Sequence, residues 1–155
     1  MQNKSKDDFM NVSGRIAQGH GVASGQSDTS PYKSGSLRIQ FPFFERQKIP
    51  LAGFFLGTIK VNISPSLFKL IAWDYEARNV AWTELIPPED FLFSHCKLIK
   101  NKALINAMVY YPSPNTKVEN FHNPNIIEIL APKIGSLQYG DDVELLLNPD
   151  HCSVT

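Results

Sequence analysis

The sequence predicts one mostly β domain, a barrel of short strands with at most short helices. Segments in which apolar and polar residues alternate recur at modest spacing along the chain, and no long helical pattern or internal repeat interrupts them. The 155 residues, 43% of them hydrophobic, suffice for one sizeable core and are few for two domains. We therefore expect a single β-barrel domain at 11–148, between a polar N-terminal tail at 1–10 and a C-terminal tail at 149–155.

The charge balance and the cysteines indicate which kinds of binding partner to expect and in which cellular compartment the protein works. Fifteen basic and fifteen acidic residues cancel, so no global field favours nucleic acid or an anionic membrane. No segment approaches the roughly 18 apolar residues of a spanning helix, and Met1–Asp8 is polar, without the apolar stretch of a signal peptide. Cys96 and Cys152 lie in unrelated contexts. We expect a cytoplasmic monomer that binds neither nucleic acid nor membrane.

The first part of the chain predicts a strand that runs into a glycine-rich loop over Gly14–Gly25. Ser34–Phe41 alternates apolar with polar residues, which is the period of a half-buried strand. Phe43–Lys48 permits only a short helix, because Pro42 and Pro50 bound it closely.

The next segment, Gly57–Ile63, predicts a strand with two distinct faces. Alternation puts Ile59, Val61 and Ile63 on one face, and it puts Thr58, Lys60 and Asn62 on the other. The apolar face is expected to join the core. The polar face is then available for chemistry.

The central part of the chain predicts strands at Leu67–Ala72 and Asn79–Leu85. Phe91–Ile99 and Ala103–Tyr111 follow as a hairpin, with Lys100–Lys102 as its turn.

The last part of the chain begins with a long irregular loop at Pro112–Pro124, of the kind that is often functional. Strands are predicted at Ile126–Ala131 and Val143–Leu147, with a connector at Pro132–Gln138 between them. Gly140-Asp141-Asp142 introduces the final strand.

Four of these segments, in this order, resemble the CTP-dependent (archaeal-type) riboflavin kinase family. The departures described below are of the kind expected of a divergent bacterial-type homologue. The most specific piece is an apolar strand interrupted by Glu128, closed by Ala131-Pro132 and followed by the Gly-Asp turn. The resemblance implies a six-stranded cradle-loop barrel that holds a nucleotide over one side and a flavin beside it. The segments are Gly14–Gly25, Gly57–Ile63, Ala107–Thr116 and Ile126–Val143.

The resemblance implies two nucleotide-binding segments. They are Gly19, His20, Gly21, Val22, Ala23, Ser24 and Gly25, and then Lys133, Ile134, Gly135 and Ser136. Small residues let backbone amides approach an anion, although the same composition also suits a plain flexible loop. The chain departs from the family at Val22, where an acidic residue is usual, and at Gly135-Ser136, where the family is more basic. The spacing of an ordinary P-loop is absent from the sequence.

Thr58 is the metal ligand that the resemblance implies, with Mg²⁺ as the cofactor. A hydroxyl is a suitable hard oxygen, while threonine is also common in strands simply because it is β-branched. Lys60 stands where the family has a second ligand, asparagine, and an ammonium has donors only. Lys60 either pairs with phosphate in the nucleotide site, or marks a site that has lost phosphoryl transfer and kept binding. A solvated strand edge is the simpler alternative.

Glu128 is the candidate catalytic residue and, with Thr116, a candidate flavin-binding residue by the same resemblance. A carboxylate in an apolar strand needs a partner or a cavity, because burying it unpaired is costly. Glu128 is then a general base, or a glutamate at the barrel rim. The leading hypothesis is transfer of phosphate from CTP or another nucleotide to riboflavin, giving FMN. The alternative is a barrel that binds nucleotide or flavin without catalysis, and a third reading is a barrel used for protein interaction.

Overall fold

The computed structural model of the chain describes residues 8–17, 36–116 and 123–155. The described part is mostly β, as predicted, with a single helix. In chain order the elements are β1 (Met10–Ala17), α1 (Ser36–Arg46), β2 (Ile59–Asn62), β3 (Phe68–Leu70), β4 (Tyr75–Val80), β5 (Glu89–Lys100), β6 (Ala103–Pro112), β7 (Ile126–Leu130), β8 (Asp142–Leu147) and β9 (Cys152–Val154).

Seven of the strands form one antiparallel sheet in the order β4-β5-β6-β7-β2-β1-β8. The long strand β5 also pairs with β8, so that six strands, all but β4, pair in a closed ring. β5 can pair with both β4 and β8 along one edge because each uses a different half of it. Tyr75–Ala77 of β4 pairs with the first half, Phe91–Phe93. The second half, Cys96–Ile99, pairs with β8.

The inside of this ring is a core of alternating side chains from every strand. Val61 of β2, Ile127 and Ile129 of β7, and Leu145 of β8 are fully buried in it. Gly14 lets β1 pack closely against β2, because a Cβ at this position would lie 2.5 Å from Val61 Cγ1. The core thus fixes which side chains of each strand point outward.

A second core lies on the outer face of β4, β5, β6 and β7, and α1 covers it. Leu37 and Phe44 of the helix are fully buried, and Phe44 packs edge-on against Phe91 and Phe93 at 5.2 and 5.1 Å. The strand predicted at Ser34–Phe41 is therefore wrong, because 36–46 is helical. Burial of Leu37, Phe41 and Phe44 follows the 3.6-residue period. The helix also continues through Pro42, which was expected to bound it.

The hairpin at β5 and β6 is confirmed, and its turn residues Asn101 and Lys102 adopt positive φ. The strands predicted at Ile126–Ala131 and Val143–Leu147 are also confirmed, as β7 and β8. The strand predicted at Asn79–Leu85 is misplaced, since β4 ends at Val80. Its pairing with β5 is irregular between Ala77 and Val80, where Asn79 has positive φ.

The region expected to be a C-terminal tail contains β9, which pairs with β3. Leu67 and Thr155 exchange backbone hydrogen bonds of 2.9 and 3.0 Å. Cys152 is buried in the inner core for this reason. In the described part of the chain, no helix is both long and apolar enough to cross a membrane.

Candidate functional site

Lys60 and Glu128 form the centre of the candidate site. They are direct cross-strand partners in the antiparallel pairing of β2 with β7. Lys60 Nζ lies 3.2 Å from Glu128 Oε1, and the two side chains are 25% and 17% exposed. The resemblance implied a general base at Glu128, and pairing with phosphate was one of the roles considered for Lys60. The fold joins them in one ion pair that is screened from most of the solvent.

The alternation of the two strands explains why both charged groups face outward together. Val61 on β2 and Ile127 and Ile129 on β7 point into the inner core. Lys60 and Glu128, one residue away from each of these, must point to the opposite face. Glu128 shares that face with Leu130, which is buried in the outer core beneath α1. The ion pair therefore lies on the outer face of β2 and β7, next to the part of that face that belongs to the outer core.

Tyr110 and Gln40 lie on the side of Glu128 that faces α1. The β6–β7 register pairs Met108 with Leu130, and its continuation puts Tyr110 opposite Glu128. Tyr110 Oη donates a 2.8 Å hydrogen bond to Gln40 Oε1, and both residues are buried. Burial, and then the nearby carboxylates of Glu128 and Glu89, raise the pKa of Tyr110 well above its ordinary value. Tyr110 is therefore a neutral hydrogen-bond donor next to the ion pair.

Gln40 is a residue that the sequence analysis missed. It was assigned to the polar face of a strand, whereas in α1 it shares the buried face with Leu37, Phe41 and Phe44. The helical spacing of these four residues was the available signal.

Thr58 and Lys60 do not form a protein-held magnesium site in the described residues. Thr58, just before β2, offers one hydroxyl oxygen, and Lys60 offers only N–H donors. The nearest carboxylate on the paired strand, Glu128, is already bound to the Lys60 ammonium. The described residues contain no group of three or more His, Cys, Asp or Glu side chains suited to a metal. This donor set does not fit Mg²⁺ coordinated by the protein alone.

Thr116 lies in the turn that follows β6, and its side chain makes a hydrogen bond within this turn. Its Oγ1 accepts a 2.9 Å hydrogen bond from the Asp90 backbone N–H, and its own N–H donates to the Ser113 carbonyl at 3.1 Å. Among the described residues it makes no hydrogen bond with Glu128. In the described residues the Thr116 hydroxyl is therefore bonded within this turn, and no hydrogen bond links the two predicted flavin-binding residues.

The segment 133–136 follows β7 and lies near the approach to β2. Lys133 Nζ lies 6.0 Å from the ring centroid of Phe55, and the Phe55 N–H donates to the Ala131 carbonyl at 2.9 Å. Ile134 packs against the inner core, while Gly135 and Ser136 are exposed. The other predicted nucleotide-binding segment, Gly19–Gly25, lies outside the described residues.

A second polar cluster joins the C-terminal segment to β5. Ser94 Oγ lies 2.8 Å from His151 Nδ1, and Asp74 Oδ2 lies 3.8 Å from the same nitrogen. A serine hydrolase needs the carboxylate and the serine on different ring nitrogens, and it needs an accessible serine. Here both groups face Nδ1, and Ser94 is fully buried. The cluster anchors 148–155 and has no geometry for nucleophilic catalysis.

Comparison with models of known protein families, and with curated proteins, finds no match to this chain.

Proposed function

We propose that this protein is a riboflavin kinase-like phosphotransferase, which moves a phosphate from CTP or another nucleotide to riboflavin to give FMN. In this proposal the closed ring of six strands is a cradle-loop barrel. One observation carries the proposal. Lys60 and Glu128 come from distant parts of the sequence and meet at 3.2 Å on one face of two paired strands. Glu128 stands at the position of the general base that the resemblance implies, and Lys60 stands at the position of the family's second metal ligand, an asparagine.

The chemistry follows from the two charges. The 5′-hydroxyl oxygen of riboflavin attacks the γ-phosphorus of the nucleotide, the bond from that phosphorus to the bridging oxygen breaks, and the hydroxyl proton passes to Glu128. Lys60 has several N–H donors, so it can bind a phosphate oxygen while one donor remains on Glu128. Its charge then neutralises part of the charge on the transferring group. Magnesium enters this scheme only with the nucleotide, as its counter-ion.

The same ion pair also supports a second candidate, a barrel that binds nucleotide or flavin without turnover. The Glu128 carboxylate is already paired with the Lys60 ammonium, so one of its oxygens is occupied before any ligand binds. Lys60 also stands where the family has an asparagine whose oxygen binds the metal. A lysine ammonium has only N–H donors, so this metal ligand is missing. Under this alternative, ligands raise the melting temperature of the protein and no product forms.

The experiment that separates these functions is incubation of the purified protein with riboflavin, magnesium and either CTP or ATP. FMN formation, resolved by chromatography, supports the phosphotransferase. Stabilisation by nucleotide or flavin without FMN supports the binding barrel. Neither FMN nor stabilisation by any of these ligands rejects both functions.

A further inference from the structure

An open groove of about 580 Å³ lies along β1, next to the candidate site. Its size falls within the range of about 300–1,000 Å³ that is usual for small-molecule sites. The lining comes from β1, from the end of β2 and from the turn before β8. It consists of Ser13, Gly14, Arg15, Ile16, Ala17, Asn62, Ser64, Gly140 and Asp142.

Among the described residues, the lining carries one positive and one negative side chain. These are Arg15 and Asp142, and Arg15 Nε lies 3.0 Å from Asp142 Oδ1. A groove without excess positive charge is poorly suited to a free phosphate or a triphosphate chain. It favours an uncharged moiety that is recognised by hydrogen bonds.

The groove is lined by several hydrogen-bonding groups that have no partner among the described residues. Asn62 Oδ1 accepts a 2.8 Å hydrogen bond from the Ser64 backbone N–H, which orients the amide and leaves Nδ2 as a donor. In the part of the chain that the structure describes, this Nδ2 has no partner, and the hydroxyls of Ser13 and Ser64 have none. Donors and hydroxyls of this kind match a ligand with several hydroxyl groups.

The position of the groove indicates whether it would bind the phosphate donor or the acceptor. Ala17 of the groove wall is the cross-strand partner of Lys60 on β2, while Glu128 lies beyond Lys60 on β7. In phosphoryl transfer the attacking and leaving oxygens lie roughly in line, on opposite sides of the phosphorus. If Glu128 faces the attacking hydroxyl, the groove lies on the side of the leaving nucleotide.

We propose that this groove binds the sugar of the phosphate donor, an uncharged moiety with several hydroxyl groups, while Lys60 faces the donor's phosphates. The inference rests on the proposed function for its choice of donor over acceptor. The match to hydroxyl groups rests on the groove alone. The two parts can therefore be tested separately.

The first test needs no catalysis. Titration with D-ribose, followed by backbone amide NMR, shifts the signals of Ser13, Arg15 and Asn62 in the wild-type protein. Ser13→Phe, which fills the groove, removes these shifts. Asn11→Phe retains them, because Asn11 is exposed on the same strand and face but lies outside the groove. Absence of ribose-dependent shifts in the wild type, or their persistence in Ser13→Phe, overturns the proposal. If Ser13→Phe does not fold, Asn62→Ala replaces it with the same expected loss.

The second test assigns the sugar. Removing both ribose hydroxyls of CTP, as in the 2′,3′-dideoxy analogue, weakens binding to the wild type by about tenfold, or about 1.4 kcal/mol. Asn62→Ala abolishes the difference in affinity between CTP and its dideoxy analogue. It does not change the ratio of the affinities for riboflavin and for lumichrome, which is a flavin without the ribityl chain. If Asn62→Ala alters only the flavin ratio, or neither ratio, the donor assignment is rejected. Ribose-dependent shifts without FMN formation reject the proposed transfer and leave the hydroxyl-binding groove in place.

Discussion

Lys60 and Glu128 lie opposite each other on β2 and β7, and their side chains form a 3.2 Å ion pair that is mostly shielded from solvent. Two consequences follow. The pair ties together strands that are distant in the chain. It also places an ammonium and a carboxylate side by side on the outer face of the two strands.

The Lys60–Glu128 pair is expected to contribute to stability. Lys60→Met and Glu128→Gln each lower the free energy of unfolding by about 1–2 kcal/mol, because each leaves a half-buried charge unpaired. The double variant loses clearly less than the sum of the two. The matched control is Arg15 with Asp142, whose side chains are 74% and 84% exposed. Its coupling, from Arg15→Met and Asp142→Asn, stays under about 0.5 kcal/mol. Equal coupling for both pairs, measured by urea unfolding, would contradict a structural role for Lys60–Glu128.

Glu128 is expected to act on the transfer step itself. Glu128→Gln lowers the rate constant of FMN formation by about 10²- to 10⁴-fold, since an amide cannot accept the proton. Glu76→Gln is the control, because Glu76 pairs with Arg78 on β4, which lies outside the ring. Single-turnover rates at saturating riboflavin measure both variants. A Glu128→Gln rate equal to that of wild type excludes general-base catalysis by this residue.

Gly14 is expected to be required for the packing of β1 against β2. In Gly14→Ala the added Cβ would lie 2.5 Å from Val61 Cγ1 and 2.9 Å from the Asn62 carbonyl oxygen, so the backbone must shift. We expect a loss of about 1–3 kcal/mol. Gly135→Ala is the matched control, because a Cβ there meets nothing within 4 Å. Thermal unfolding of the two variants measures the difference. Similar melting temperatures would show that the two strands are further apart than described.

The Tyr110–Gln40 hydrogen bond is expected to fix α1 on the outer face of the sheet. Tyr110→Phe leaves Gln40 Oε1 buried without its donor and costs about 1–3 kcal/mol. Adding Gln40→Leu removes the unpaired acceptor, so the double variant regains much of the loss. Urea unfolding reports both effects. A double variant less stable than Tyr110→Phe alone would argue against this contact.

Stability is expected to fall at alkaline pH because of the two buried thiols. Burial raises the pKa of Cys152 to about 12 and raises that of Cys96 further. Unfolded thiols have a pKa of about 8.5, so above that pH the unfolded chain binds fewer protons than the folded one. The stabilising contribution is complete below the unfolded value and is lost as pH rises toward the folded value. Cys152→Ala therefore reduces the slope of unfolding free energy against pH, by up to about 1.4 kcal/mol per pH unit. Parallel curves for wild type and Cys152→Ala between pH 8.5 and 10 would refute this.

Local patterns sufficed to predict the elements in which an apolar run of strand length has a clear boundary. The β5–β6 hairpin, β7 and β8 were predicted because such runs lie beside a clear turn or proline. Segment 36–41 was predicted wrongly as a strand because Leu37, Ile39 and Phe41 alternate as in a strand, while Leu37, Phe41 and Phe44 also fit a helix. The outer core beneath the segment decides between these patterns. That core is a tertiary feature, which local periodicity does not contain.

The candidate site was predictable in part. The outward positions of Lys60 and Glu128 follow from alternation within each strand. Their ion pair depends on the register between β2 and β7, which are far apart in the sequence and are aligned by the ring as a whole. The buried Tyr110–Gln40 contact depends in turn on Gln40 lying in a helix, where the sequence predicted a strand.

The most direct test of the central claim follows the labelled γ-phosphate of CTP in a reaction with riboflavin and magnesium. The account predicts that the label appears in FMN with the wild-type protein and is strongly reduced with Glu128→Gln, while Glu76→Gln behaves as wild type. The absence of labelled FMN with either CTP or ATP, at high concentrations of a folded wild-type protein, would contradict it.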